Sequence, residues 1–414
     1  MPTPQADAEA WAASGVMALT GRPDGPPLVP PGSGAATARA LAGRFFDHTR
    51  RTGRAVQVDG PRLLSERAAL LGLRRRGDVS AGGACRLLPT ADGWAAVTCA
   101  RPDDPALLGA LAETEVGDDP WPVLGGWLRE HTGADLTERA RLLGVAAGPV
   151  VRRRPMALPE PLEPRPLDGA LVVDFSALWA GPLCAHLLGL AGARVVKVET
   201  PSRPDGARYG DPGFYRLLHA GHRSVVLDPA APAGRRALSA LVDAADIVIE
   251  ASRPRALAGF GLDAEAAVAS GATWVSITAY GRGDDGIGFG DDVAAGAGLV
   301  CREEDGTPLF CGDALADPLT GLAAAVLAST APPGGGGVLW DVAMADVVAA
   351  TLGGGDPAVP SPAAVRDGDG WAVVTPDGPP VPVAVPAARR AAGHAAAMGE
   401  NTDEVLRELG IPVP

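Results

Sequence analysis

Between residues 168 and 278, short apolar β-branched runs alternate with helical stretches, and few folds accept that order. Leu171–Phe175 (LVVDF), Arg194–Glu199 (RVVKVE), Arg223–Leu227 (RSVVL), Asp246–Glu250 (DIVIE) and Thr273–Thr278 (TWVSIT) read as strands. An apolar helix follows the Gly181-Pro182 turn and runs through Leu190, and Gly234–Ala245 has helical spacing. A strand that returns through a helix lies parallel to the one before it, because the crossover carries the chain back to the same end of the sheet. The expectation is an α/β fold: a doubly wound parallel sheet, Rossmann-like and αβα in layers, completed by helices from 291–330.

Composition narrows what such a fold does. The formal net charge is −13, a poor basis for binding nucleic acid, whose phosphates need a clustered positive surface. The runs Arg74–Arg76 and Arg152–Arg154 are short and read as a solvated helix end and a linker. Five cysteines without a CxxC pair suit a reducing compartment. No secretory leader or membrane-length apolar run is visible, so the expectation is a cytoplasmic protein. The turn after the first strand is SALWAGP (Ser176–Pro182) rather than GxGxxG, and Gly286, Gly288 and Gly290 lie late in the chain. Both argue against NAD or FAD. No permanently bound cofactor and no metal are expected.

The flanks repeat each other. Residues 14–28 (SGVMALTGRPDGPPL) match 297–309 (AGLVCREEDGTPL), and Asp92–Val97 (DGWAAV) matches Asp369–Val374 (DGWAVV). Both pairs are offset by about 280 residues, so the repeat is collinear. The eighth residue beyond Leu309 is Asp317, whereas the eighth beyond Leu28 is Ala36, with no acid between Asp24 and Asp47. One copy therefore has a carboxylate where the other has none. Residues 146–167, rich in Pro and Arg, read as a linker, and Gly334–Gly337 as a tight connection into a strand at Val338–Val342.

Several ordered stretches resemble one family. Leu167–Pro182 (LDGALVVDFSALWAGP) resembles the opening strand and AGP turn of the family III CoA-transferases of CaiB/BaiF type. Gly192–Arg208 (GARVVKVETPSRPDGAR), His219–Asp228 (HAGHRSVVLD) and Ala245–Leu262 (ADIVIEASRPRALAGFGL) resemble successive family segments. Asp317–Ala324 (DPLTGLAA) resembles the DxxxGxxAA stretch carrying the catalytic Asp, and Gly399–Gly410 (GENTDEVLRELG) the closing motif. The first 150 residues are atypical, resembling the segment before the catalytic Asp and then the family's small domain. The resemblance implies a partial repeat plus small α+β domain over 1–150, a linker over 151–167, the large domain over 168–330, and a C-terminal segment with an abbreviated small domain over 331–414.

The resemblance also implies chemistry. Asp317 is the expected nucleophile, attacking an acyl-CoA thioester to give an aspartyl anhydride and then an enzyme-CoA thioester. A carboxylate suits this because both intermediates stay activated. Asp317 before Pro318 also reads as a helix start, whose dipole favours the ionised form. By resemblance, Leu178, Trp179 and Ala180 face CoA, although Trp179 equally fits a core position. Lys197, the only lysine, lies toward the end of its strand, where α/β sheets place ligands. Arg203, Arg208, Arg223 and Arg253 are candidates for the CoA phosphates, with Arg255 behind them. Asp313, Asp291 and Asp292 are rival acids. His219 and His222 either touch phosphate or replace family residues on a solvated turn.

Substrates are thus expected to be an acyl-CoA and an acceptor carboxylic acid, and the assembly a homodimer. Two other readings stay open. One is an α-methylacyl-CoA racemase-like isomerase, which ordinarily pairs the Asp with a histidine. Gly290-Asp291-Asp292 stands where that histidine motif is expected. The other is a non-catalytic assembly subunit, consistent with altered CoA contacts such as Ala251 in place of an Asn.

Overall fold

The β-branched runs of 171–278 pair into one parallel sheet. In the computed structural model, which describes residues 4–117, 119–154, 157–252, 254–353, 359–374 and 379–414, six strands lie side by side. Their order is Val338–Ala343, Thr273–Thr278, Ile247–Glu250, Leu171–Asp174, Arg194–Glu199 and Arg223–Val226. Val173 pairs with Val196 on one side and Val248 on the other. All five strands read between 171 and 278 are present. The strand after the glycine run joins the same sheet beside Thr273–Thr278. The order reverses between Leu171–Asp174 and Ile247–Glu250, so a crevice is expected outside the carboxyl ends of those two strands.

Alternation along each strand feeds two cores. Val172, Val195, Ile247, Ile249 and Val275 face one, with the helices Ala180–Leu190 and Ala316–Ala328. Leu171, Val173, Val196, Val248 and Trp274 face the other, with Pro232–Asp243, Ala264–Ala269 and Thr402–Glu408. The result is three αβα layers. Helices Ala180–Leu190 and Ala316–Ala328 approach closely because Gly321 has no side chain. A Cβ there would lie 2.7 Å from Ala180 O and 3.0 Å from Leu183 Cβ.

The N-terminal copy of the repeat is built into this architecture. Helix Gly34–Thr52 packs on Ala316–Ala328. Trp11, Met17, Phe45, Leu63 and Leu64 share one core with Leu183, Leu315 and Leu319. His48 Nδ1 lies 2.8 Å from Ser329 Oγ. Residues 85–149 have a separate core, in which Leu108, Leu111, Leu124 and Leu136 pack on Ala95 and Val97 of a three-stranded antiparallel sheet. The two DGW words open corresponding central strands: Trp94–Thr98 in that sheet, and Gly370–Val373 in a second one near the C-terminus.

The connections are pinned. Glu163–Pro164 pairs with Thr330–Ala331, and Arg153 Nη1 reaches Asp346 Oδ1 at 2.9 Å. Gly334, Gly335 and Gly336 all have positive φ, and the Gly335 amide donates to Pro332 O at 3.0 Å, which makes this run a turn. Among the described residues no helix is long and apolar enough to cross a membrane.

Phe45 is fully buried where the repeat meets the large domain. Phe45→Ala should therefore lower unfolding free energy by about 3–5 kcal/mol, measured as a lower denaturant midpoint. A surface residue of an independent appendage would give no such loss.

Candidate functional site

Every residue of the Ala316–Ala328 helix is buried except Asp317, which is half-buried in its first turn. Two strained turns frame it. Ala314 has φ 47, unusual for a residue with a Cβ, and costs roughly 1–2 kcal/mol. Its amide donates to Asp291 Oδ1 at 2.8 Å, and its carbonyl accepts from the Asp317 amide at 2.9 Å. Leu178 has φ 69, and its amide donates to Asp205 Oδ1 at 3.0 Å. This second turn brings the Ala180 amide toward the Asp317 carboxylate, whose charged form it favours. Gly290 completes the enclosure, since a Cβ there would collide with Asp317 Oδ2 and Ala314 O.

Lys197 lies beneath the Ser176–Pro182 turn rather than in a phosphate site. It is 1 % exposed. Its ammonium donates to Ser176 O and lies 2.9 Å from Asp205 Oδ2 and 3.9 Å from Asp174 Oδ2. Burial opposes this charge, but Asp174, Asp205 and Glu199 hold its pKa above the ordinary lysine value. Asp205 also accepts from the Ala207 amide, and Asp174 from the Ser176 amide and hydroxyl. The single lysine thus holds the turn that presents Ala180.

The other expected CoA contacts separate by exposure. Leu178 is exposed at the turn. Trp179 is a core residue, edge-on to Phe214 at 5.4 Å. Ala180 is buried and contributes its amide. Arg203 is exposed and in no ion pair among the described residues. Arg208 is committed: it forks onto Glu199 at 2.9 and 2.5 Å, and its guanidinium covers the Tyr215 ring. Arg223 pairs with Glu408 of the closing motif, and Arg255 with Asp285. Arg253 lies outside the described residues.

The acids around Asp317 flank the C-terminal copy, and their partners come from the N-terminal part of the chain. Asp313 is fully buried and held by Arg67 through Nε at 2.9 Å and Nη2 at 2.5 Å. Asp292 Oδ1 accepts from Thr98 Oγ1 at 2.8 Å and the Phe289 amide at 2.9 Å. Burial pushes the Asp317 carboxyl up to about 7, with Arg67 opposing and Asp291 and Asp313 adding. The helix terminus was expected to keep Asp317 ionised; burial among acids outweighs it. Burial and Asp313 push Asp291 up to about 6, and burial pushes Asp292 up to about 7. Arg67 and Ser80 were not singled out in the sequence, because they lie far from any motif. Asp205 is the Asp of the DGAR word at Asp205–Arg208.

A cavity of about 170 Å³ lies beside the loop that carries Gly286, lined by Arg141, Gly148, Arg153, Tyr280, Gly286 and Ile287. Its two arginines are already paired with Asp284 and Asp346. Among the described residues no group of three or more His, Cys, Asp or Glu is placed to hold a metal ion.

Residues 167–358 match CoA-transferase family III. Over 211 residues the chain is 33% identical to a succinate–glutarate CoA-transferase of Agrobacterium fabrum, covering 45% of this chain and 53% of that protein. Over 207 residues it is 30% identical to a succinyl-CoA–D-citramalate CoA-transferase of Chloroflexus aurantiacus, covering 46% and 52%. A formyl-CoA:oxalate CoA-transferase of Rhodopseudomonas palustris is 32% identical over 169 residues, 38% of this chain and 40% of that protein. The chain thus spans about half the length, or less, of these relatives. A CaiB/BaiF family protein from Brucella suis is similar in structure over 46% of this chain and 56% of its own, at 28% identity and a TM-score of 0.42.

His219 and His222 are buried, not on a solvated turn. Their rings lie 5.5 Å apart, with His186 6.0 Å from His222, and none of the four ring nitrogens of His219 and His222 has a hydrogen-bond partner among the described residues. Burial lowers all three pKa values, to about 3 for His186 and His222. The folded state favours neutral rings, so their contribution is complete above the ordinary value of 6.5 and is lost as pH falls from there toward about 3. The raised carboxylates act in the opposite sense, so the comparison uses a variant. Stability should drop between about pH 7.5 and about pH 5 less steeply in His222→Leu than in the parent protein, by denaturant titration at each pH.

Proposed function

We propose that this chain, whose residues 167–358 belong to CoA-transferase family III, moves CoA between two carboxylic acids with Asp317 as nucleophile. The observation that carries the reading is the placement of Asp317. It is the half-buried carboxylate of an otherwise buried helix, with the Ala180 amide near enough to favour its charged form.

The steps balance without a proton. The Asp317 carboxylate attacks the thioester carbonyl of the donor, and the C–S bond breaks to release CoA thiolate and leave an acyl-aspartyl anhydride. The thiolate attacks the aspartyl carbonyl, the donor acid leaves as carboxylate, and an Asp317-CoA thioester forms. The acceptor carboxylate enters and the two steps run in reverse, restoring Asp317. The Ala180 amide is the donor placed to stabilise oxyanion character on the aspartyl carbonyl. Leu178, exposed at the turn, and Arg203, exposed and in no ion pair among the described residues, are the described residues we assign to meet CoA. Lys197, Arg208 and Arg223 act through the framework. We place the protein in the cytoplasm as a homodimer, an arrangement to be checked by mass in solution across a dilution series.

The raised pKa of Asp317 and Asp291 favours one second reading, in which two carboxylates exchange the α-proton of an acyl-CoA. Deuterium uptake at that carbon without acyl transfer would mark it.

Asp317→Ala should abolish transfer and the covalent CoA adduct, read by intact mass after incubation with an acyl-CoA panel. Folding should change by only about 1 kcal/mol, since Asp317 is a first-turn residue and not the N-cap, which is Leu315. A folded variant that still forms the adduct would show that another residue is the nucleophile. Because the nucleophile must be ionised, turnover should rise with pH through about 7. Gly290→Ala, which forces the carboxylate aside, should cut kcat by about a hundredfold while the protein stays folded.

A further inference from the structure

The cation that faces Asp317 comes from the opposite end of the chain. Arg67 lies on the short helix Glu66–Leu71, in the N-terminal copy of the repeat. Its planar fork grips both oxygens of Asp313, a geometry lysine cannot reproduce. Its guanidinium carbon lies 5.6 Å from the Trp179 ring centroid, one residue from the amide that favours the charged form of Asp317. The loop beyond it closes over the pair: a Cβ on Gly82 would sit 3.4 Å from Arg67 Nη2. Ser80 of that loop bonds Asp291.

We propose that Arg67 is a positioning residue for the reaction, fixing the loop that leads into Asp317 and supplying the positive charge that keeps its carboxylate ionised. The inference rests on Asp317 being the reacting group. The grip on Asp313 sets the backbone of 312–316, from which the Asp317 helix starts. The charge acts because Arg67 is the cation among the main influences on both Asp317 and Asp291. Asp291 and Asp292 face it from the Gly290–Gly296 helix, and Asp313 from the preceding loop. The first turn of Ala180–Leu190 brings an amide and no titratable side chain. Helix Met344–Thr351 brings Asp346, which is engaged by Arg153, and helix Gly34–Thr52 brings Arg44 and His48 only toward the far end. Loss of Arg67 therefore raises the Asp317 pKa and moves the onset of turnover to higher pH.

The test reads Asp317 directly, by NMR titration of protein labelled with side-chain 13C aspartate and assigned with Asp317→Asn. Arg67→Met alone leaves Asp313 buried and unpaired, so Arg67→Met/Asp313→Leu serves as the second, better-folded variant. Arg67 outweighs Asp313 at Asp317. The expected midpoint of Asp317 is thus higher in both variants than in the parent, by about one unit or more in Arg67→Met. Arg67→Lys should recover most of that shift and the pH profile of turnover, but not the full kcat. An unchanged or lowered midpoint in both folded Met variants would overturn the inference and leave Arg67 as scaffold. A parent protein whose Asp317 responds as expected, yet takes no acyl or CoA group from any acyl-CoA, would overturn the transferase reading and leave the Arg67 assignment standing.

Discussion

One buried ammonium under the sheet's carboxyl edge shapes the turn that faces Asp317. Lys197 Nζ binds Asp205 and Ser176 O with almost no access to water. A pair so buried gives little net stability, because desolvating both ions offsets their attraction. Its effect is geometric. Asp205, held by Lys197, takes the amide of Leu178 in a left-handed conformation that an isolated leucine avoids. That conformation turns the chain so that Ala180 presents its N–H to Asp317. Without the pair, the turn would relax, the helix Ala180–Leu190 would start differently, and Asp317 would lose its donor.

The sheet was legible because its strands obey simple rules. Val172-Val173 and Val195-Val196 are β-branched pairs in short runs separated by helices, and that order leaves few topologies. Asp317 was legible for a different reason: comparing the two repeat copies isolates a carboxylate without knowledge of the fold. The supporting residues were not legible in this way. Lys197 stood out as the only lysine, and its strand position suggested a ligand. Which way its side chain runs depends on Asp205, eight residues on and across a loop. Arg67 and Ser80 approach Asp313 and Asp291 from more than two hundred residues away in sequence. Neither period nor spacing records such a contact, because it arises only when two separately patterned segments share a core.

That shared core explains why the repeat is not two equivalent sites. Each copy leads into a helix, and those helices, Gly34–Thr52 and Ala316–Ala328, pack on one another. Only the second helix also packs on Ala180–Leu190, with Gly321 allowing close approach to Ala180 O. Ala36 is packed against apolar neighbours of the same core. A carboxylate there would be desolvated without an amide from a strand-to-helix turn to accept, because that turn exists once in the chain. The N-terminal copy gives support: its helices fill the core, and Arg67 on the helix Glu66–Leu71 and Ser80 in the loop beyond reach the acids near the other copy.

The electrostatics of the site follow from this division. Asp291, Asp292, Asp313 and Asp317 crowd into one region, and like charges so placed cannot all ionise cheaply. One guanidinium neutralises the most buried of them, Asp313, through two charge-assisted hydrogen bonds. Asp292 is satisfied on one oxygen by Thr98 and a backbone amide, and burial favours its protonated form. Burial pushes the Asp291 and Asp317 carboxyls up to about 6 and about 7, and the neighbouring acids add to it. A carboxylate poised there is a stronger nucleophile than a freely solvated one, since basicity and nucleophilicity rise together for one kind of atom. The same crowding limits it, because below neutrality the group takes up a proton and can no longer attack. In the proposed transfer, the burial and crowding that raise the basicity of Asp317 would therefore also set the lower pH limit.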